Sequence, residues 1–308
     1  MAIGPRSTRV LPAVNTGQAL RQGALLAGAM LVGGIVSAFV LKQDVNWDLQ
    51  NYHFYNAWAF VHQRLGWDIA PAQLQTYHNP LLDLPFYGMV AADWPPPLIS
   101  FVMGLPAGIG AFFLGKILLV LFTDMPRKER WLYAAVTFLV GITASGPVSQ
   151  LGSTLNEWQG AVLVMIALWL VLRRVAQGAL GWRTLVAAGL LCGIASGLKL
   201  TAATYAAGLC AALLLQRPVF WLGFRQALGF GLAVLPASAT RCSRISMTSS
   251  ARRGGIRSLS SIVDSDRIRC WKASRFRYVF SRPRPHPSPR CPFATGGSRF
   301  STSLPSAR

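Results

Sequence analysis

The chain has 308 residues, 52% of them hydrophobic and 13% charged, with a mean hydropathy of +0.39 and a formal net charge of +20. This is too apolar and too sparsely charged for a soluble domain, where charged residues make up about 25%, and it describes a polytopic membrane protein. The charge does not define the partner, because residues 1–238 hold 15 Lys/Arg against 8 Asp/Glu while residues 239–308 hold 15 against 2.

Residues 1–22, with Arg6, Arg9 and Arg21, read as a cytoplasmic amino terminus ahead of an uncharged run at 23–41. That run is longer than a signal-peptide core and further apolar runs follow, so the expectation is a retained first helix. Apolar windows recur near 97–122, 131–148, 157–172, 184–198, 201–215 and 226–238. The expected fold is therefore all-α, with about seven transmembrane spans in a region covering 23–238. With the amino terminus inside, eleven Lys/Arg fall in inside segments and three, Lys42, Arg64 and Lys199, fall outside. This bias puts the 42–96 loop in the periplasm or an equivalent compartment.

The outside loop carries five of the ten carboxylates and three of the four histidines. Wound as one α-helix, 46–65 aligns Trp47, Phe54, Trp58, Val61 and Leu65 into an apolar stripe suited to the bilayer interface. Asp44, Asp48 and Tyr52 are four residues apart in turn and share a flank, with Tyr55 and His62 near it. A carboxylate beside phenols at the membrane boundary accepts a proton from an attacking hydroxyl; the alternative is that Asp44 and Asp48 cap the helix. A second polar run follows with Tyr77, His78, Asn79, Asp83 and Asp93.

Lys199 lies between two apolar runs, where an ionisable side chain is costly enough to mark function; snorkelling to lipid headgroups is the alternative, and Lys116 reads as snorkelling at the inside end. Ala29 with Gly33, and Gly193 with Gly197, are small-residue pairs for helix packing. His53, His62 and His78 lack zinc-site spacing, and Asp44 with Asp48 makes no assured cage, so the cofactor is undetermined, with a divalent cation left open. The five cysteines form no Cys-x-x-Cys pair, so neither a metal knuckle nor a disulfide framework is indicated. With no Walker or dinucleotide signature, energy would have to enter through an activated lipid-linked donor.

A first span, then a large outside loop opening with Asp48-x-x-x-Tyr52, a turn at Gly66-Trp67-Asp68-Ile69, and Tyr77-His78-Asn79-Pro80 before the next span resembles the GT-C superfamily of integral-membrane glycosyltransferases. The similarity covers about residues 20–235 and is greatest to bacterial members that use polyprenyl-phosphate sugars. The resemblance implies a multi-pass protein of the bacterial inner membrane, with Asp48 as catalytic base and Asp44 as second choice. It further implies Tyr52, His53, Tyr55, Tyr77, His78 and Asn79 around the substrate, and Lys199, in a Gly-x-x-x-Gly-x-Lys-x-Thr-like turn, on a lipid phosphate. The partners it implies are the polyprenyl-phosphate-linked donor and membrane lipids, with no nucleic acid. The rival reading is a non-catalytic membrane protein or transporter whose carboxylates and Lys199 line a pathway.

Residues 239–308 contain 15 Ser, 14 Arg and six Pro and no window that could span a bilayer. Read literally, they are a disordered basic tail. The preferred expectation is a shifted reading frame from near residue 240, because the last apolar run stops after about thirteen residues, short of a bilayer.

Overall fold

The computed structural model describes residues 16–41, 44, 46–65, 67–68, 71–215 and 220–238. The Arg/Ser-rich segment 239–308, residues 1–15, Gly66 and Ile69 lie outside them, so the expectations placed there have no structural counterpart. Every described element is helical: α1 (Thr16–Val36), α2 (Phe54–Val61), α3 (Leu84–Ala91), α4 (Pro96–Leu121), α5 (Arg127–Thr143), α6 (Ser145–Ser149), α7 (Glu157–Ala176), α8 (Trp182–Leu198), α9 (Ala202–Leu215) and α10 (Phe220–Ser238). Three segments are long and apolar enough to cross a membrane, Thr16–Val40, Pro96–Leu121 and Glu157–Ala176. The apolar helices α8 and α9 are shorter, at 17 and 14 residues.

Local chemistry sets the boundaries. Pro95 and Pro96 start α4, where a missing N–H costs nothing. The first turn of α7 carries Glu157 and its last turn Arg173 and Arg174, each sign opposing the helix dipole. The expected span at 131–148 is two helices, because Ala144 adopts an extended ψ of 151° and breaks α5 from α6.

Close approach of small residues joins the helices. A Cβ on Gly104 would lie 2.6 Å from the Gly33 carbonyl oxygen, and one on Gly108 would strike Ala29, so α1 and α4 cross backbone to backbone in antiparallel sense. In α8 the packing pair is Gly189 and Gly193, against Phe230 and Val234 of α10. Gly197, paired with Gly193 in the sequence reading, is buried and offers its carbonyl to Asn79 at 3.0 Å. Ala167, Val171, Leu185, Ala188, Cys192, Leu213 and Phe230 form a buried core among α7 to α10. Large apolar side chains on the outer faces of α5 and α10, among them Leu139, Val140, Leu232 and Leu235, are exposed, a distribution suited to hydrocarbon. At the far end of the bundle the Lys116 ammonium donates to the Gln22 side chain at 2.8 Å and lies over the Trp169 ring.

The first loop departs from the single α-helix expected over 46–65. Residues Leu49–His53 form a π-helical turn that continues into α2, which shifts the phase of everything upstream. The expected stripe is broken: Phe54 is buried, whereas Trp47 and Val61 are 68% and 53% exposed. The buried face comprises Leu49, His53, Phe54, Asn56, Ala57 and Ala59. It is covered by the returning chain, where Asn56 donates to the Gln75 carbonyl at 2.8 Å.

Candidate functional site

Three connections meet at one end of the bundle: the first loop, the turn 150–157 before α7, and residues 197–201 between α8 and α9. Side-chain hydrogen bonds tie them together. Asp44 Oδ2 accepts from the Thr154 backbone N–H at 2.7 Å, the Thr154 hydroxyl at 2.8 Å and the Asn46 amide at 2.6 Å, while Oδ1 accepts from the Asn46 N–H at 3.0 Å. Asn46 Oδ1 then takes the Leu49 N–H at 2.6 Å. Asp44 is thus the anchor of the loop on the 150–157 turn, with its carboxylate fully engaged.

Asp48, one turn later, differs. Its carboxylate accepts no hydrogen bond from a described residue and caps no N–H. Its charge helps raise the Tyr52 phenol to about 12; burial is the larger cause, and Asp83 and Glu157 add to it. Tyr52 therefore stays protonated, a neutral donor among three carboxylates. Its ring stacks at a tilt on His53, with centroids 4.3 Å apart, and meets His78 edge-on at 5.4 Å.

Beneath Tyr52 is a buried trio. His53 Nδ1 lies 2.8 Å from Asp83 Oδ1, and the Asn156 amide donates to the same oxygen at 2.5 Å. The three residues are 7%, 5% and 4% exposed. Burial pushes the Asp83 carboxyl above its ordinary 3.8, against the opposing pull of His53, Asn156 and Lys199. Asn156 holds a left-handed backbone, φ 62° and ψ 19°, a conformation for which Asn is among the better-suited non-glycine residues. Nearby, Gly152 has φ +68° and packs where any Cβ would overlap the Ser37 hydroxyl, so this turn admits only glycine there.

Lys199 acts on the trio through its charge. Its ammonium donates to the Leu155 carbonyl at 2.5 Å and to Glu157 Oε1 at 2.6 Å. Both carboxylate and ammonium border a cavity of about 210 Å³ between α6, α7 and α9, whose walls include Pro147, Trp158, Val164, Met165 and Tyr205. The combination is a mostly apolar cavity whose lining includes one ion pair.

The other expected residues are placed as follows. Tyr55 donates to Asp68 Oδ2 at 2.6 Å, and Asp68 also pairs with Arg64, so Tyr55 is held by the loop's own ion pair. Burial and this acceptor hold the Tyr55 phenol far above its ordinary range. Asn79 accepts from the Leu81 N–H at 3.1 Å while bridging to Gly197, which makes it a splice between loop and α8. Tyr77 is 66% exposed. Asp48, Tyr52, His53, His78 and Lys199 are thus drawn toward one cluster, and Asp44, Tyr55 and Asn79 support its frame. Among the described residues no three His, Cys, Asp or Glu side chains gather as a metal-ligand set.

Asp83, Thr154, Asn156 and Glu157 complete the cluster and were not expected in it. The available signal was the polar run Ser153-Thr154-Leu155-Asn156-Glu157 between apolar stretches at the predicted outside end.

Comparison with known proteins finds no matching family, no matching curated protein and no matching solved structure.

Proposed function

We propose that the chain is a GT-C-type glycosyltransferase, with about seven spans in a bacterial inner membrane, that moves a sugar from a polyprenyl-phosphate donor to an acceptor hydroxyl on the outer face. The observation that carries this reading is the contrast between two neighbouring aspartates: Asp44 has its oxygens consumed by Thr154 and Asn46, whereas Asp48 is unengaged beside the Tyr52 phenol.

In the proposed reaction Asp48 takes the proton of the acceptor hydroxyl, whose oxygen bonds to the anomeric carbon. The bond from that carbon to the phosphate oxygen breaks, and the phosphate keeps the electron pair. Lys199 supplies the counter-charge, and the apolar cavity beside it suits the first isoprenoid units of the donor. Glu157, half exposed, is able to swing away and release the ammonium. Tyr52, protonated at any physiological pH, donates a hydrogen bond without competing for the proton.

The test is sugar transfer from a polyprenyl-phosphate donor in membranes carrying Asp48→Asn at matched protein level. A positioned base contributes about 10²–10⁴-fold, and a loss of that size with donor binding intact is the expected result. Transfer by Asp48→Asn at the wild-type rate would remove Asp48 from the chemistry.

A further inference from the structure

His53 leaves one nitrogen unaccounted for. Nδ1 faces Asp83 Oδ1, an oxygen that already receives the Asn156 amide hydrogen, so it acts as acceptor for both neighbours. With Asp83 ionised and the imidazole neutral, the ring hydrogen sits on Nδ1 and Nε2 is left with a lone pair. Nε2 is buried and has no hydrogen-bond partner. Two buried amide oxygens share that condition: Asn156 Oδ1, whose amide meets the same Asp83 oxygen, and Asn56 Oδ1, three residues along the chain from His53. Their orientation is forced, because each Nδ2 faces an oxygen, of Asp83 in one case and of the Gln75 carbonyl in the other.

All three orphaned atoms are therefore acceptors. Buried polar groups without a partner are rare, and each is destabilising until it finds one. What relieves such a set is a molecule presenting O–H groups. Among the described residues the half-buried Tyr52 ring lies against that of His53, with centroids 4.3 Å apart and planes tilted by 36°.

We propose that His53 Nε2 is a hydroxyl-binding atom of the acceptor site, with Asp83 and Asn156 as positioning residues that keep its lone pair available once Tyr52 moves aside. The identity of the bound hydroxyl as that of a sugar acceptor rests on the glycosyl-transfer reading; the state of the imidazole does not. No proton is transferred to His53 in this scheme, since Asp48 takes it.

Nitrogen-15 NMR of the histidine-labelled full chain in detergent micelles, with His53 assigned by comparison with His53→Leu/Asp83→Asn, reads the imidazole directly. The expected spectrum has Nδ1 protonated and Nε2 bare, and methyl α-D-glucopyranoside as probe shifts the Nε2 resonance. In the transfer assay His53→Leu/Asp83→Asn, which leaves no buried charge, should raise the acceptor KM about tenfold, the worth of one hydrogen bond, with kcat held within about twofold. Asp83→Asn alone, whose amide oxygen still accepts from both neighbours, should keep the wild-type tautomer. A protonated Nε2, an Nε2 signal unmoved by the probe, or an unchanged KM in the double variant overturns the inference. A probe-dependent shift in a protein that transfers no sugar would instead sink the glycosyl-transfer reading and leave the hydroxyl site standing.

Discussion

Thr154 gives both its backbone N–H and its hydroxyl to one oxygen of Asp44, 110 positions earlier in the chain. This contact ties the first loop to the turn before α7 with a single carboxylate. Asp44→Ala would strand the N–H of Thr154, which is 2% exposed, and should cost about 2–3 kcal/mol as a charge-assisted bond to a buried group. Unfolding of purified protein in detergent, followed by a double-mutant cycle with Thr154→Val, should show the two losses overlapping. Asp48→Ala, lacking such partners, should fall within about 0.5 kcal/mol of wild type. Equal losses at both positions would remove the division of labour between the two aspartates.

Asn156 combines a left-handed backbone with a side chain committed to Asp83. Asn156→Ala loses the amide and keeps the unfavourable φ, whereas Asn156→Gly loses the amide alone. The glycine variant should therefore be about 1 kcal/mol the more stable of the two, with both below wild type. Chemical denaturation of the three proteins in the same micelles checks the order.

Asp83 dictates a pH dependence with a definite sign. Its folded carboxyl titrates above the ordinary 3.8 because of burial, so the folded state holds the proton more tightly than the unfolded chain. The resulting stabilisation is complete below the unfolded value and is lost as pH rises through the folded one. Asp83→Asn should abolish that loss. The melting temperature of the variant should gain on wild type from about pH 4 upward, and parallel pH profiles for the two proteins would contradict this assignment.

Tyr52 provides an optical probe of Asp48. With the phenol held at about 12 first by burial and then by Asp48, Asp83 and Glu157, its ionisation, isolated as the difference from Tyr52→Phe in ultraviolet titration, should begin well above that of an ordinary tyrosine. Asp48→Asn removes one of the three charges and should move the titration downward. No movement would place the Asp48 carboxylate out of range of the phenol.

The helices were legible in the sequence because apolar run length reports directly on helices of this kind: five of the expected windows coincide with single helices, 23–41 covers α1 and the π-helical turn that ends it, and 131–148 divides at Ala144. The site was half legible. Asp48, Tyr52 and His53 could be found because an amphipathic, carboxylate-bearing loop after a first span is conspicuous. The π-turn at Leu49–His53 could not, since adding one residue to a helical turn leaves no mark in composition, and it breaks the stripe derived for a regular helix. Asp83 stands between leucines in Leu81-Leu82-Asp83-Leu84 and Asn156 in a short turn. Their role depends on contacts 30 and 73 residues apart, which pattern reading along the chain does not see.

The π-turn acts as a step in angular phase. Upstream of it Asp48 keeps an open position, and downstream His53 enters the buried layer. In a regular α-helix residues five apart differ by about 140° in azimuth, and the wider turn changes that angle. Deleting Gln50 would turn the segment back toward α geometry, so that either the aspartate or the histidine must leave its place while the composition of the loop hardly changes. A single codon's length in this segment, rather than the identity of any one side chain, therefore governs whether the open carboxylate and the buried imidazole can occupy their positions at once.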